Sequence, residues 1–109
     1  MAAAIVDLTI NEGDTFIMTM DLWSDVDNTI PIDITADTFT GSFKIGEKII
    51  PITLMVSSSA VNVLEATVDY TLMGDLSKQG KYDIDQLTPA GEKYRLMQGN
   101  VRVSPEVTT

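Results

Sequence analysis

The sequence predicts an all-β domain: an antiparallel sandwich or barrel of seven to eight short strands, with one short helical turn near residues 72–79. Three observations carry that expectation. Apolar and polar residues alternate with a period of two along most of the chain, as half-buried strands require. Turn-forming Gly, Pro, Asp and Asn fall between the alternating runs. No apolar stripe at helical spacing lasts longer than two turns.

The elements follow in order. Val6, Leu8 and Ile10 share a face of a first strand, and Phe16, Met18, Met20 and Leu22 of a second. Ile30, Ile32 and Ile34 mark a third, and Phe39, Gly41, Phe43 and Ile45 a fourth. Ile50, Ile52, Leu54 and Val56 mark a fifth. Leu64, Ala66, Val68 and Tyr70 mark a sixth, which could start as early as Val61. LMGDLSKQ is the one helical stretch. Tyr82 and Ile84 mark a seventh strand, and Tyr94 and Leu96 begin the last, continued by Val101 and Val103 past a bend at Gly99.

Two hairpins follow from register. In FKIGEKIIP a Gly46-Glu47 loop puts glycine first, as a type II′ turn prefers, and sets Phe43 against Ile50 and Phe39 against Leu54. In DQLTPAGEKY, Thr88-Pro89-Ala90-Gly91 suits a type I turn with Pro89 second and Gly91 as the left-handed bulge residue. That register sets Ile84 opposite Leu96 on the inner face and Asp85 opposite Arg95 on the outer one, so apolar and charge pairing agree.

The 109 residues make one domain, read as a sandwich over 1–104 and an extended tail over 105–109, with Pro105 ending regular pairing. A chain this long buries roughly two-thirds of its unfolded surface, enough for a core. There is no cysteine and no histidine. Disulfides and thiolate metal sites are thereby excluded, and the commonest general base and metal ligand are missing. The net charge is -9, from 16 acidic and 7 basic residues, and the bases lack the clustering of a phosphate-binding stripe. Binding to nucleic acid or to an anionic membrane is therefore disfavoured. MAAAIVDLTI has no basic segment and too short an apolar run for a signal peptide, so a soluble protein made in a reducing cytoplasm is expected.

Candidate chemistry is sparse. Asp25, Asp27 and Asn28 in WSDVDNTIP invite a calcium reading, but an EF-type loop wants a further oxygen ligand where Thr29 stands and glycine where Ile30 stands. Asp and Asn in such a link bond their own backbone, and the turn reading is preferred. Asp83 and Asp85 share a strand face, as paired glycosidase acids could, yet alternate acids also mark a solvated face and Asp85 has Arg95 to pair with. Met18 and Met20, in phase with Phe16 and Leu22, read as core filling. Trp23 falls on the opposite parity to that face. It could cap the end of the core or anchor an interface, where Trp is enriched. In DLSKQGKYDI a helical turn leads through Gly80 to Tyr82 at a strand start. Immunoglobulin-type sandwiches place a tyrosine corner there, its hydroxyl bonding backbone a few residues upstream. Tyr82 would then fix a crossover between sheets.

The layout DLTINEGDTF, then PIDIT, then GKYDIDQLTPAGEKYRLMQGNVRVSPEVTT resembles small immunoglobulin-like proteins and domains of tailed phages and prophages. These are compact structural proteins, or N-terminal modules of fibres and baseplate upper proteins that dock onto the particle. The likeness spans nearly the whole chain, with residues 36–70 contributing little. It implies an immunoglobulin-like β-sandwich and a structural, non-enzymatic role in a virion, at the neck, tail, fibre anchor, baseplate or head surface. It supplies no catalytic, cofactor or metal residue. The implied partners are other virion proteins and further copies of the chain, on a particle made in a bacterial cytoplasm. Since the chain stops at Thr109, it reads as a complete small protein or an excised anchor. The alternatives are a carbohydrate- or surface-binding module, which wants more solvent-facing aromatics, and a small hydrolase using carboxylates.

Overall fold

Phe43 and Ile45 on one strand and Tyr82 and Ile84 on another point to one side, because a strand turns successive side chains to opposite faces. The strands pair antiparallel with Phe43 opposite Tyr82, and all four residues are buried. In the computed structural model, which describes residues 4–23, 27, 30–74 and 76–105, this pair lies in the larger of two sheets.

Among the described residues there are nine strand segments: β1 (Ala4–Ile5), β2 (Leu8–Asn11), β3 (Phe16–Asp21), β4 (Thr38–Ile45), β5 (Lys48–Pro51), β6 (Thr53–Val56), β7 (Val63–Val68), β8 (Gln79–Leu87) and β9 (Lys93–Ser104). The large sheet runs β1-β9-β8-β4-β5, with β2 also on β9, and the small one runs β3-β7-β6. β1 and β2 keep one register on β9, both parallel to it, so they form a single interrupted strand and the sandwich has eight. The inner faces close on a core in which Ile34, Phe43, Leu64, Ala66, Met73 and Ile84 are fully buried. Met20 is in that core and Met18 packs against it.

The interruption has a cause. At Val6-Asp7 the Asp7 carboxylate accepts the Asn100 N–H (3.1 Å), replacing a ladder bond. Beside it, Gly99 lets the first strand come close: a Cβ there would stand 2.1 Å from the Val6 carbonyl oxygen.

Several expectations need correction. Ile30, Ile32 and Ile34 form no ladder strand; only an isolated bridge joins Trp23 to Pro31. Pro31 has no N–H to donate, and the Asp33 carboxylate takes the Thr35 N–H (3.0 Å) and hydroxyl (2.7 Å), curling the chain away. Ile34 nevertheless fills the core. The fifth strand is two: after Ile52 donates to the Gly41 carbonyl (2.9 Å), the chain leaves the large sheet and β6 joins β7. Phe43 does face Ile50, but Phe39 faces Gln86, not Leu54. Among the described residues helix is one 3-10 turn, Tyr70–Leu72, started by the Asp69 side chain, which caps it by accepting from Thr71 N. Tyr70 therefore leaves the sixth strand, and Val61 precedes it. Ile84 faces Met97, not Leu96, since Leu96 is an extra residue on β9 before Asp85 meets Arg95. That bulge lies at Leu96, and β9 runs through Gly99 unbroken.

Both turns form. Gly46 has φ +62° and Gly91 +87°, the left-handed values that the loops need. Gly91 N bonds Thr88 O (3.0 Å), closing the turn that Pro89 starts. β9 ends at Ser104, before Pro105; residues 106–109 of the expected tail lie outside the described residues.

Gly99→Ala is expected to lower stability by about 1–3 kcal/mol in urea unfolding, because the chain at Val6, between β1 and β2, and β9 must part. Gly74→Ala, where a Cβ meets nothing within 4 Å, should stay within about 0.5 kcal/mol of wild type.

Candidate functional site

Asp83 and Asp85 alternate with buried Tyr82, Ile84 and Gln86, so both point outward from β8. On β9, Lys93 and Arg95 face them. Arg95 Nε donates to Asp85 Oδ1 (3.1 Å) and its Nη2 lies 3.7 Å from Asp83 Oδ2, while Lys93 Nζ lies 3.8 Å from Asp85 Oδ2. Arg95 also donates to Gln98 Oε1 (3.3 Å). The hydrogen bond to Asp85, then the charges of Asp83 and Asp85, raise the Arg95 pKa above its ordinary value. Both carboxylates are committed to cations, so neither stands free as a general acid or as the base that a pair of glycosidase acids requires. The cluster pins the β8–β9 register on the side where the bulge shifts it.

Tyr82 is buried, yet its phenol finds a partner. It donates to the Val6 carbonyl at 2.6 Å, where the first strand is interrupted. This corrects the expected tyrosine corner. The acceptor is backbone upstream, but on the N-terminal strand and not in the link before β8. Tyr82 is the cross-strand partner of Gly99, whose missing side chain leaves room for the phenol to reach the next strand. Burial, and secondarily the Asp7 charge, raise the Tyr82 pKa above its ordinary value of 10.0.

Trp23 is half-buried at the end of β3, opposite Pro31. Beside it, Asn62 donates its side-chain amide to Leu22 O (3.2 Å), and Leu22 N donates to Asn62 O (2.9 Å). Leu22, not Trp23, packs against the core here, and Trp23 lies beside the 30–34 link through its bridge to Pro31. Of the calcium candidates, Asp27 is exposed, and Asp25 and Asn28 lie outside the described residues. Among the described residues no three of His, Cys, Asp or Glu converge in a metal-holding group.

The surface offers open grooves. One of about 910 Å³ follows β2, β9 and the start of β8, with Asp7, Thr9, Lys78, Gln79 and Arg102 on its walls. Another, about 330 Å³, lies between β5 and the 3-10 turn beside Ile49, Pro51 and Leu72. Sequence reasoning missed the edges. Among the described residues the four most exposed large apolar side chains are Ile5 (77%), Ile17 (70%), Ile49 (69%) and Met55 (65%). They belong to β1, β3, β5 and β6, one on each sheet edge. No composition signal marks them, because edge position is a property of topology.

No family model matches the chain, and no curated protein is similar to it in sequence. Among solved structures it is similar to the crystal structure of titin M3 domain, with a TM-score of 0.53 and 13% identity over 94% of this chain and 92% of that one. At that identity the likeness is one of fold, and the sandwich is immunoglobulin-like.

Tyr82→Phe strands the Val6 carbonyl and is expected to cost about 1–2 kcal/mol in urea unfolding. The raised folded pKa means that the tyrosine contribution is intact below the unfolded value and is lost as pH rises through the folded one. Wild-type stability should therefore fall above about pH 10, and that of Tyr82→Phe should fall less. Arg95→Ala, at an exposed network, should cost about 1 kcal/mol or less, read in the same experiment.

Proposed function

We propose that this chain is a non-enzymatic structural component of a bacteriophage particle, held by protein–protein contact at the edges and outer faces of its sandwich. The observation that carries the reading is the placement of Ile5, Ile17, Ile49 and Met55, one on every edge strand. Edge strands expose unpaired N–H and C=O groups, and soluble proteins usually guard them with charge, proline or a covering segment. Here Pro51 guards the end of β5, but exposed apolar side chains accompany each edge. Such edges suit strand addition by a neighbour, the side chains giving selectivity and the backbone giving affinity.

The phage setting is supported by the likeness of DLTINEGDTF, PIDIT and the GKYDIDQLTPAGEKYRLMQGNVRVSPEVTT ending to tailed-phage immunoglobulin-like proteins. In this reading the partners are other virion proteins and further copies of the chain, and the protein resides in the virion.

Quantitative mass spectrometry of gradient-purified particles from the source organism tests this. The chain should persist at a fixed ratio to the major capsid protein, a high ratio indicating head decoration and a low one a neck, tail or fibre position. Its loss from clean particles would rule the reading out.

A further inference from the structure

Topology gathers charge that the sequence scatters. All seven basic residues lie on β4, β5, β8 or β9 or, for Lys78, immediately before β8. The strands of the small sheet carry none. They and the adjoining turns carry Asp14, Asp21, Glu65 and Asp69. Separation along the chain is not separation in space.

Three of these bases stand together and make no ion pair among the described residues, although Asp83 lies two residues along β8 on the same face and Asp7 lines the groove beside Arg102. Lys44 and Lys81 are direct cross-strand partners on β4 and β8. Arg102 enters the same outer face from β9, opposite Gln79. All three are exposed. Among the described residues, ion pairs occur only at Asp83, Asp85, Lys93 and Arg95. Like charges directly opposite on neighbouring strands cost stability, and among the described residues no ion pair to Lys44 or Lys81 offsets that cost. Ile49, the partner of Lys44 on β5, adds an exposed apolar side chain to the row.

The outer face of the small sheet has the matching chemistry. Glu65 on β7 sits between Thr19 on β3 and Met55 on β6. Ile17 and Asp21 flank Thr19 on the same side of β3, since alternate residues share a face. All of them are exposed.

We propose that the Lys44–Lys81–Arg102 face of one copy binds the Asp21–Glu65 face of another. This names the partner within the assembly reading above and rests on it. A second copy is the occupant because each face supplies what the other lacks: carboxylates for the unpaired bases, and Ile17 and Met55 for Ile49. The two surfaces differ, so the contact is heterologous and copies add head to tail into a ring or an open stack. A three-stranded face of about 14 by 20 Å places the contact at or below the roughly 1,000 Å² that separates stable interfaces from transient ones. Association is therefore weak in dilute solution and weakened further by salt.

Sedimentation velocity on wild type, Lys81→Glu and Glu65→Lys tests the proposal, with thermal melts confirming that each variant folds. Wild type should self-associate at low salt, and less tightly at high salt by about tenfold or more. Each variant alone should be monomeric. An equimolar mixture should associate again, since it contains one intact face of each kind and the two reversed faces are complementary to each other. Wild type that stays monomeric at low salt up to its solubility limit overturns the proposal, as does association that survives both reversals. A monomer that binds added polyglutamate through Lys81 assigns the face to a foreign acidic protein and also overturns the second-copy occupant. None of these outcomes bears on membership of a particle, which mass spectrometry decides separately.

Discussion

Phe43 is the contact on which the sandwich depends. It sits on β4 of the large sheet and is fully buried. The Phe16 ring of the small sheet meets it edge-on, with centroids 5.1 Å apart and planes at 84°. The Tyr82 ring of β8 meets it at 6.0 Å and 69°. Such edge-to-face pairs contribute about 0.5–1.5 kcal/mol each beyond the area they bury. The larger effect of the Phe16–Phe43 pair is geometric, because it joins the small sheet to the large one, while the Phe43–Tyr82 pair joins β4 to β8 within the large sheet. Tyr82 extends the link through its phenol to the Val6 carbonyl, so one line of contacts joins the small sheet, the large sheet and the first strand.

The same arrangement shows why parts of the fold were legible in the sequence. Period-two alternation identified the inward residues of β3, β4, β7 and β8, because it depends only on the pleat. It also marked Ile50, Ile52, Leu54 and Val56 correctly as one inward series. Alternation could not show that the series changes sheets after Ile52, since both inner faces border the same core. It could not place the bulge at Leu96 either. Leu96 and Val101 differ in parity, which demands one irregularity between them, and Gly99 was the conspicuous candidate. Gly99 serves close approach instead. The turns at Gly46 and Gly91 were legible because their backbone demands are local.

Long-range partners were not legible. Nothing near Tyr82 in sequence points to Val6, and nothing near Lys44 points to Lys81. Asp85 and Arg95 could be paired because a hairpin of known length joins them. The surface is a product of register: it decides which polar residues become neighbours and which strands become edges. In this chain register places four bulky apolar side chains on four edges and six of the seven bases on one sheet, with Lys78 immediately before its strand β8. Those two features carry the functional account.

The central claim is that the molecule works through its outer sheet faces. Its most direct test is zero-length coupling of lysines to carboxylates in an equal mixture of ordinary and heavy-nitrogen protein, followed by peptide mass spectrometry. Mixed-isotope peptides joining Lys44 or Lys81 to Asp21 or Glu65 are the predicted result. Links from those lysines found only within single chains would contradict the account.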